Sequence, residues 1–326
     1  MALLPWKTIS SPKHAVLKRV ERLARSVRFR KQTGSCVVSG TQVVSELLDR
    51  GCQLVTVLAR EETLPSTLQL KIADSIASTS NSSRTSNDES NNQPRQEQEG
   101  RCQIFDVGDK ALQRTAQLES AGQGTATIVA EVKLPGHFQY WNKDDIDNGD
   151  QGVQQLLNCS PAPKRVVAID SVSDPGNLGA IFRTSLAFGF TTAFLIGKCC
   201  DAFNPKVIRA ARASQWGMQH IVIAPSWQPV FDFVDQRNAQ FFTSCTDPSS
   251  QPLPLTSNQF PIPPTVGDSN DSDQPIVLAV GNESHGVHID HVELERRARG
   301  IHIPMQNDVE SLNVAVASAL LMQRLN

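Results

Sequence analysis

Apolar positions recur along this chain at two periods, and the switches between them mark out its elements. Val16, Leu17, Val20, Leu23 and Val27 fall at helical spacing and predict an amphipathic helix over residues 13–30 with a basic outer face. Cys36-Val37-Val38-Ser39-Gly40 predicts a short strand ending in a turn, 41–49 a helix, and 53–58 a second strand. From Ser75 to Gly100 almost nothing is apolar. Such a segment cannot offset its ordering entropy by burial and is expected to be a disordered insertion. The pattern resumes near Cys102-Gln103-Ile104-Phe105, and Ala126 to Val132 predicts another strand. These elements describe a small α/β domain over 13–135, interrupted by the insertion at about 75–100. An acidic stretch ending in proline, 136–163, is expected to be a linker.

A second domain is expected over 164–326. Val166 to Asp170 predicts a buried strand, followed by a turn over 171–176 and a helix from Asn177 to about Phe188. Gly189 ends that helix, and Thr192 to Ile196 starts the next strand. This β-α-β unit implies a parallel sheet with a buried, strand-rich centre. Further strands are expected at 219–224, 240–243, 276–280 and 301–303, and a closing helix at 311–325. A second polar insertion lies at about 246–275.

The chain has 326 residues, a length for which two domains is the natural expectation. Its net charge of −2 argues against indiscriminate binding to nucleic acid. The charge is uneven, however. Lys7, Lys13, Lys18, Arg19, Arg22, Arg25, Arg28, Arg30 and Lys31 face only Glu21 among residues 1–31, a local basic surface able to recruit a phosphate backbone. An ordinary solvated helix face would look the same. The 7 cysteines are scattered and form no C-x-x-C pair, which points to reduced thiols in an intracellular compartment and against a zinc site. No apolar run approaches the ~18 residues of a membrane span, and Met1 to Ser11 is too polar for a secretory signal. The basic, acid-poor start is compatible with an organelle as well as with the cytoplasm.

Three segments carry candidate chemistry. The first runs from Asp174 to Ser185. Pro175-Gly176 makes the turn, Asn177 suits the N-cap, and Leu178, Ile181, Phe182 and Ser185 form a sheet-facing stripe. Arg183 lies off the stripe, near a strand's carboxyl end, where open α/β sheets bind ligands. The second runs from Val277 to Val287: a buried strand ends abruptly in Gly281-Asn282-Glu283, with Gly281 allowing close backbone approach to a ligand. His285, His288 and His291 follow at spacing three and are expected to form one polar helix face. No partner at metal-ligand spacing is evident, and no metal is expected. The third segment, Ile301 to Ala317, predicts a strand, a polar loop and a helix opening at Ser311, a common way to present backbone N–H groups to a ligand.

Together and in this order, the segments resemble the three motifs of the SpoU (TrmH-type) branch of the SPOUT RNA methyltransferases. The resemblance covers 166–325 closely and extends loosely over 13–135, which is similar to that family's N-terminal RNA-binding domain. It implies a parallel-sheet α/β domain with a deep trefoil knot, S-adenosylmethionine bound in the knot, methyl transfer to a ribose 2′-hydroxyl of rRNA or tRNA, and a homodimer. By motif position it implies cofactor contacts at Gly281, Ile303 and Leu312, with Leu278 and Met305 beside them. Arg183, Asn177, Glu283, Ser311 and Asn313 take the catalytic positions, with RNA contacts at Arg22, Arg28, Arg30, Lys31, Lys206, Arg209 and Arg212. A guanidinium is a poor base, so Arg183 is better suited to clamp a phosphate or a developing alkoxide. Glu283 and Asn177 are then orienting groups, and Ser311 and Asn313 shape the loop and touch substrate. The family's Arg-Ala-Ser-x-Gly-Ala stretch departs here over Asn204 to Trp216: either Arg209 or Arg212 takes the arginine's place, and the glycine is missing in both registers. The competing expectation is a catalytically inactive RNA-binding protein of the same fold. A dinucleotide-binding enzyme is disfavoured, because Gly176-x-x-Gly179 lacks the G-x-G-x-x-G spacing.

Overall fold

A computed structural model describes residues 4–81, 102–116, 127–136, 138–140, 156–244, 251–252, 274–281, 286–289, 293, 296–307 and 309–326. Most of both polar insertions, 82–101 and 245–273 apart from Gln251–Pro252, lies outside them. The chain divides into two compact units, one of Met1–Pro135 with Phe203–Trp216, the other of Gly136–Ala202 with Gly217–Asn326.

The first unit contains β1 (Trp6–Ile9), α1 (Ala15–Arg25), α2 (Val27–Thr33), β2 (Ser35–Ser39), α3 (Thr41–Asp49), β3 (Leu54–Ala59), α4 (Ser66–Asn81), β4 (Gln103–Val107), α5 (Asp109–Ala116) and β5 (Ile128–Lys133). Its five strands lie in the order β1-β4-β3-β5-β2. β1, β4 and β3 run parallel, and β5 runs antiparallel to both β3 and β2. Leu17, Val20 and Leu23 of α1 are buried with Val37, Leu58, Phe105 and Val129 of the sheet. The helix predicted over 13–30 is in fact two. Ser26 leaves helical geometry at φ −115, and its hydroxyl accepts from the Phe29 N–H at 3.2 Å, opening α2. A serine inside an amphipathic pattern is a natural cap, and capping outcompeted continuation.

Arg30 explains how the break is held. It is 2% exposed, and its guanidinium donates to the carbonyls of Leu23 and Ala24, the open end of α1. The assignment of Arg30 to RNA contact is therefore corrected: it is a buried internal cap that no phosphate can reach. Across the sheet, Arg19 donates to Glu131 at 3.0 and 2.7 Å, neutralising a carboxylate that is 0% exposed. The predicted start of the disordered insertion also shifts, since α4 carries the helix to Asn81.

The second unit contains β6 (Phe138–Tyr140), β7 (Arg165–Asp170), α6 (Pro175–Ala187), β8 (Thr192–Ile196), β9 (His220–Ala224), α8 (Gln228–Arg237), β10 (Gln240–Ser244), β11 (Gln251–Pro252), β12 (Ile276–Val280), β13 (Arg299–His302) and α9 (Val314–Arg324). The short α7 (Pro205–Ala211), between β8 and β9 in sequence, belongs to the first unit. Eight parallel strands lie in the order β11-β13-β10-β12-β7-β8-β9-β6. Central strands β7, β8 and β12 are almost wholly buried, as parallel strands covered on both faces must be. Phe138–Tyr140, expected within a linker, instead pairs with β9 as an edge strand, and Leu156 and Leu157 are buried in this unit's core.

The order locates the site. From β7 the chain steps one way to β8 and β9, while β12 lies against the other side of β7. Open parallel sheets have a crevice at the carboxyl ends of strands where the order reverses, here between β7 and β12.

Candidate active site at the carboxyl ends of β7 and β12

The first candidate segment leaves β7, the second leaves β12, and Asn313 of the third bonds to Asn177 of the first. After β7 the chain turns through Ser171, at φ +55, and enters α6. Asp174, not Asn177, is the N-cap: its carboxylate accepts from the Asn177 N–H at 2.7 Å. Pro175 follows at the first helical position, where a missing N–H costs nothing. The expectation for Asn177 is thereby corrected. Its side-chain oxygen instead accepts from the third segment. Leu178, Ile181, Phe182 and Ser185 are buried as the stripe predicted, and Arg183 is exposed.

The third segment needs a similar correction. α9 opens at Val314, and Asn313 rather than Ser311 is its cap, accepting from the Ala315 N–H at 3.0 Å. Asn313 uses both ends of its amide. Its oxygen caps α9, and its nitrogen donates to the Asn177 Oδ1 at 3.0 Å. One hydrogen bond thus joins residues 136 positions apart and ties the first turn of α6 to the start of α9. Behind it the two helices pack together, with the Ser185 hydroxyl against the Met322 sulfur at 3.6 Å. Ser311 is exposed in the loop before the cap, and Ile303 and Leu312 are half-buried. Met305 is exposed, whereas Leu278 is fully buried within β12.

The second segment is described at its two ends. A Cβ on Gly281 would overlap the carbonyl of Gly286, so this position admits only glycine unless the backbone moves. Glu283 and His285 lie outside the described residues, as does His291. His288 is not on a helix face. Its N–H donates to Asp170 Oδ2 at 2.5 Å, and its Nδ1 lies 3.3 Å from the same oxygen. Asp170 ends β7, is 2% exposed, and also accepts from the Ser171 hydroxyl at 2.8 Å. The carboxylate after an apolar run is legible in the sequence; its partner, 118 residues on, is not. Nearby, burial pushes the Cys199 thiol up to about 11, with Asp170 adding to the rise and backbone N–H groups opposing it.

Of the remaining cations singled out, Arg22, Arg28 and Lys31 are exposed in the first unit, and Arg22 stacks over Phe29 at 4.2 Å. Lys206 and Arg212 are exposed on and just after α7, Arg212 donating to Gln42 at 2.7 Å. Arg209 is half-buried and donates to the Ala116 carbonyl at 2.9 Å, so its guanidinium is committed in part to the fold. Among the described residues no cluster of His, Cys, Asp or Glu could hold a metal ion. No described helix is long and apolar enough to cross a membrane.

A parallel α/β sheet whose strand order reverses at β7 and β12 defines a domain of the class that binds ligands at a switch point. Residues 164–323 match the SpoU rRNA methylase family, and the domain they form belongs to it. A 23S rRNA guanosine 2′-O-methyltransferase of Bacillus subtilis is 33% identical over 162 residues, covering 50% of this chain and 58% of that protein. Human mitochondrial rRNA methyltransferase 3 is 26% identical over 186 residues, covering 47% of this chain and 44% of that one. The matched part thus spans about half the length of these relatives. The solved structure of the SpoU methyltransferase AviRb from Streptomyces viridochromogenes, in complex with AdoMet, superposes with a TM-score of 0.65 at 20% identity. It covers 96% of this chain and 97% of that chain, a likeness of fold.

Proposed function

We propose that this chain transfers a methyl group from S-adenosylmethionine to a ribose 2′-hydroxyl of ribosomal RNA, acting as a homodimer. The observation that carries this is the Asn313–Asn177 hydrogen bond, which brings the first and third motifs into one crevice beside the second. The curated relatives' names supply the RNA class.

The residues present fit the cofactor. A Cβ on Gly281 would overlap the Gly286 carbonyl, so two backbone segments lie in direct contact at the end of β12, next to the proposed cofactor site. Ile303 and Leu312 are half-buried apolar side chains, suited to an adenosine face, and the neighbouring His302 keeps a buried Nδ1 without a hydrogen-bond partner. S-adenosylmethionine, when bound, supplies an electrophilic methyl group. The chain must then hold the ribose oxygen in line, an alignment worth roughly 7–11 kcal/mol. Arg183, exposed on α6, clamps a phosphate or the alkoxide as the hydroxyl proton departs. Asn177 is held by Asn313 and orients the ribose, with Ser311 and Glu283 completing the set. In this reading the segment from β12 to α9 forms the family's trefoil knot.

The exposed cations Arg22, Arg28, Lys31, Lys206 and Arg212 provide the phosphate-binding surface. Dimer formation is supported by apolar side chains left exposed around the third motif: Met305 36%, Val309 48%, Val316 50% and Leu320 36%. The relatives include mitochondrial enzymes, which favours an organelle over the cytosol. Isothermal titration with S-adenosylmethionine, followed by mapping of ribose methylation in rRNA from cells with and without the protein, tests the reading. Micromolar binding and loss of one methylated position are expected. An absence of cofactor binding with RNA affinity intact would instead establish a non-catalytic RNA-binding protein.

A further inference from the structure

Asp170 is a buried carboxylate with no structural necessity to be charged. The other strand ends around it are apolar, and an apolar side chain there would avoid the cost of desolvating an ion. Its acceptor capacity is spent on chain segments rather than on a neighbouring strand. One oxygen takes the Ser171 hydroxyl at 2.8 Å; the other takes the His288 N–H at 2.5 Å, with the His288 ring 3.3 Å away. Space is cleared for it on the third side. A Cβ on Gly197, just after β8, would stand 3.2 Å from Asp170 Oδ1 and 2.8 Å from Ser171 Oγ. Gly197 also has φ +66. The carboxylate therefore sits where the carboxyl ends of β7 and β8 meet the backbone that follows Gly286.

We infer that Asp170 is a positioning residue: by accepting the His288 N–H it fixes the backbone after β12 against β7 and so presets the cofactor-binding face. This rests on the proposed methyltransferase reading. The burial of Asp170 keeps substrate away from it, so it acts through His288 and Gly286 and takes no part in proton transfer. Gly286 in turn abuts Gly281, which passes the constraint to the end of β12. A backbone-lined pocket depends on such pins, because few side chains are available to correct a displaced loop.

The full chain is titrated with S-adenosylmethionine as wild type, Asp170→Ala and Asp170→Asn. Amide hydrogen exchange is measured on each protein without ligand. Asp170→Ala is expected to weaken cofactor binding about tenfold or more and to speed exchange at residues 286–289 while that of β7 and β8 is kept. Asp170→Asn retains a carbonyl acceptor and should recover most of the affinity. Wild-type-like binding by the alanine variant would overturn the inference, as would an asparagine variant as weak as alanine. General loss of protection across β7 and β8 in both variants would also overturn it, making Asp170 a core-stability group only. A wild-type chain that does not bind the cofactor would sink the methyltransferase reading itself, and this inference with it.

Discussion

Two arginines on the first helices show how differently one residue type can be employed. Arg30 closes the end of α1 from inside the core, so Arg30→Ala should cost about 2–4 kcal/mol in a denaturant titration. Arg28, exposed on α2, should do the reverse: Arg28→Glu lowers RNA affinity, more at low salt than at high, with the melting temperature nearly unchanged. Arg183→Ala should retain cofactor binding by calorimetry while methyl transfer, followed with labelled cofactor, falls about a hundredfold or more. Thiol chemistry supplies a pH test. Burial raises the Cys199 thiol to about 11 from its ordinary value of 9.0, so the folded chain keeps this proton where the unfolded chain has lost it. The resulting stability is complete below pH 9.0 and is lost as pH rises toward 11. Alkylation of Cys199 in the folded protein should accordingly remain slow up to that range, read by mass spectrometry.

Helix boundaries were the elements least legible in the chain, and the errors share a cause. Each predicted start had two polar residues able to cap. At α6 the choice lay between Asp174 and Asn177, and at α9 between Ser311 and Asn313. Propensity barely separates such residues. The hydrogen bond between Asn177 and Asn313, formed only once α6 and α9 pack, distinguishes the two ends. A double-mutant cycle on these asparagines should therefore show coupling. Asn313→Ala loses both the cap and the link, at about 1–2 kcal/mol, and Asn177→Ala loses the link while leaving the Asn313 cap in place. Strands were read more accurately: β8 and β12 lie where their apolar runs predicted, because full burial leaves an unbroken hydrophobic signal.

For the whole molecule, the apolar residues left exposed around α9 make a specific prediction. On the proposed dimeric methyltransferase reading, Val316→Glu should yield a monomer in light scattering and abolish methyl transfer, while that monomer keeps its circular dichroism. The family was legible because the three motifs are short, local strings whose residue types are dictated by backbone geometry: Gly281 by the absence of room for a side chain, Pro175 by the first turn of a helix. Local periodicity likewise marked the core faces, since burial of one face is set by neighbours in sequence. Other features depended on partners far along the chain. The edge strand at Phe138–Tyr140 became visible only when β9 was there to pair with it. Arg30 went into the core because the end of α1 needed donors, and Asp170 found its partner 118 residues away. A single residue's chemistry states what bonds it can make; only packing determines which of them are within 3 Å, as the Asn177–Asn313 hydrogen bond shows.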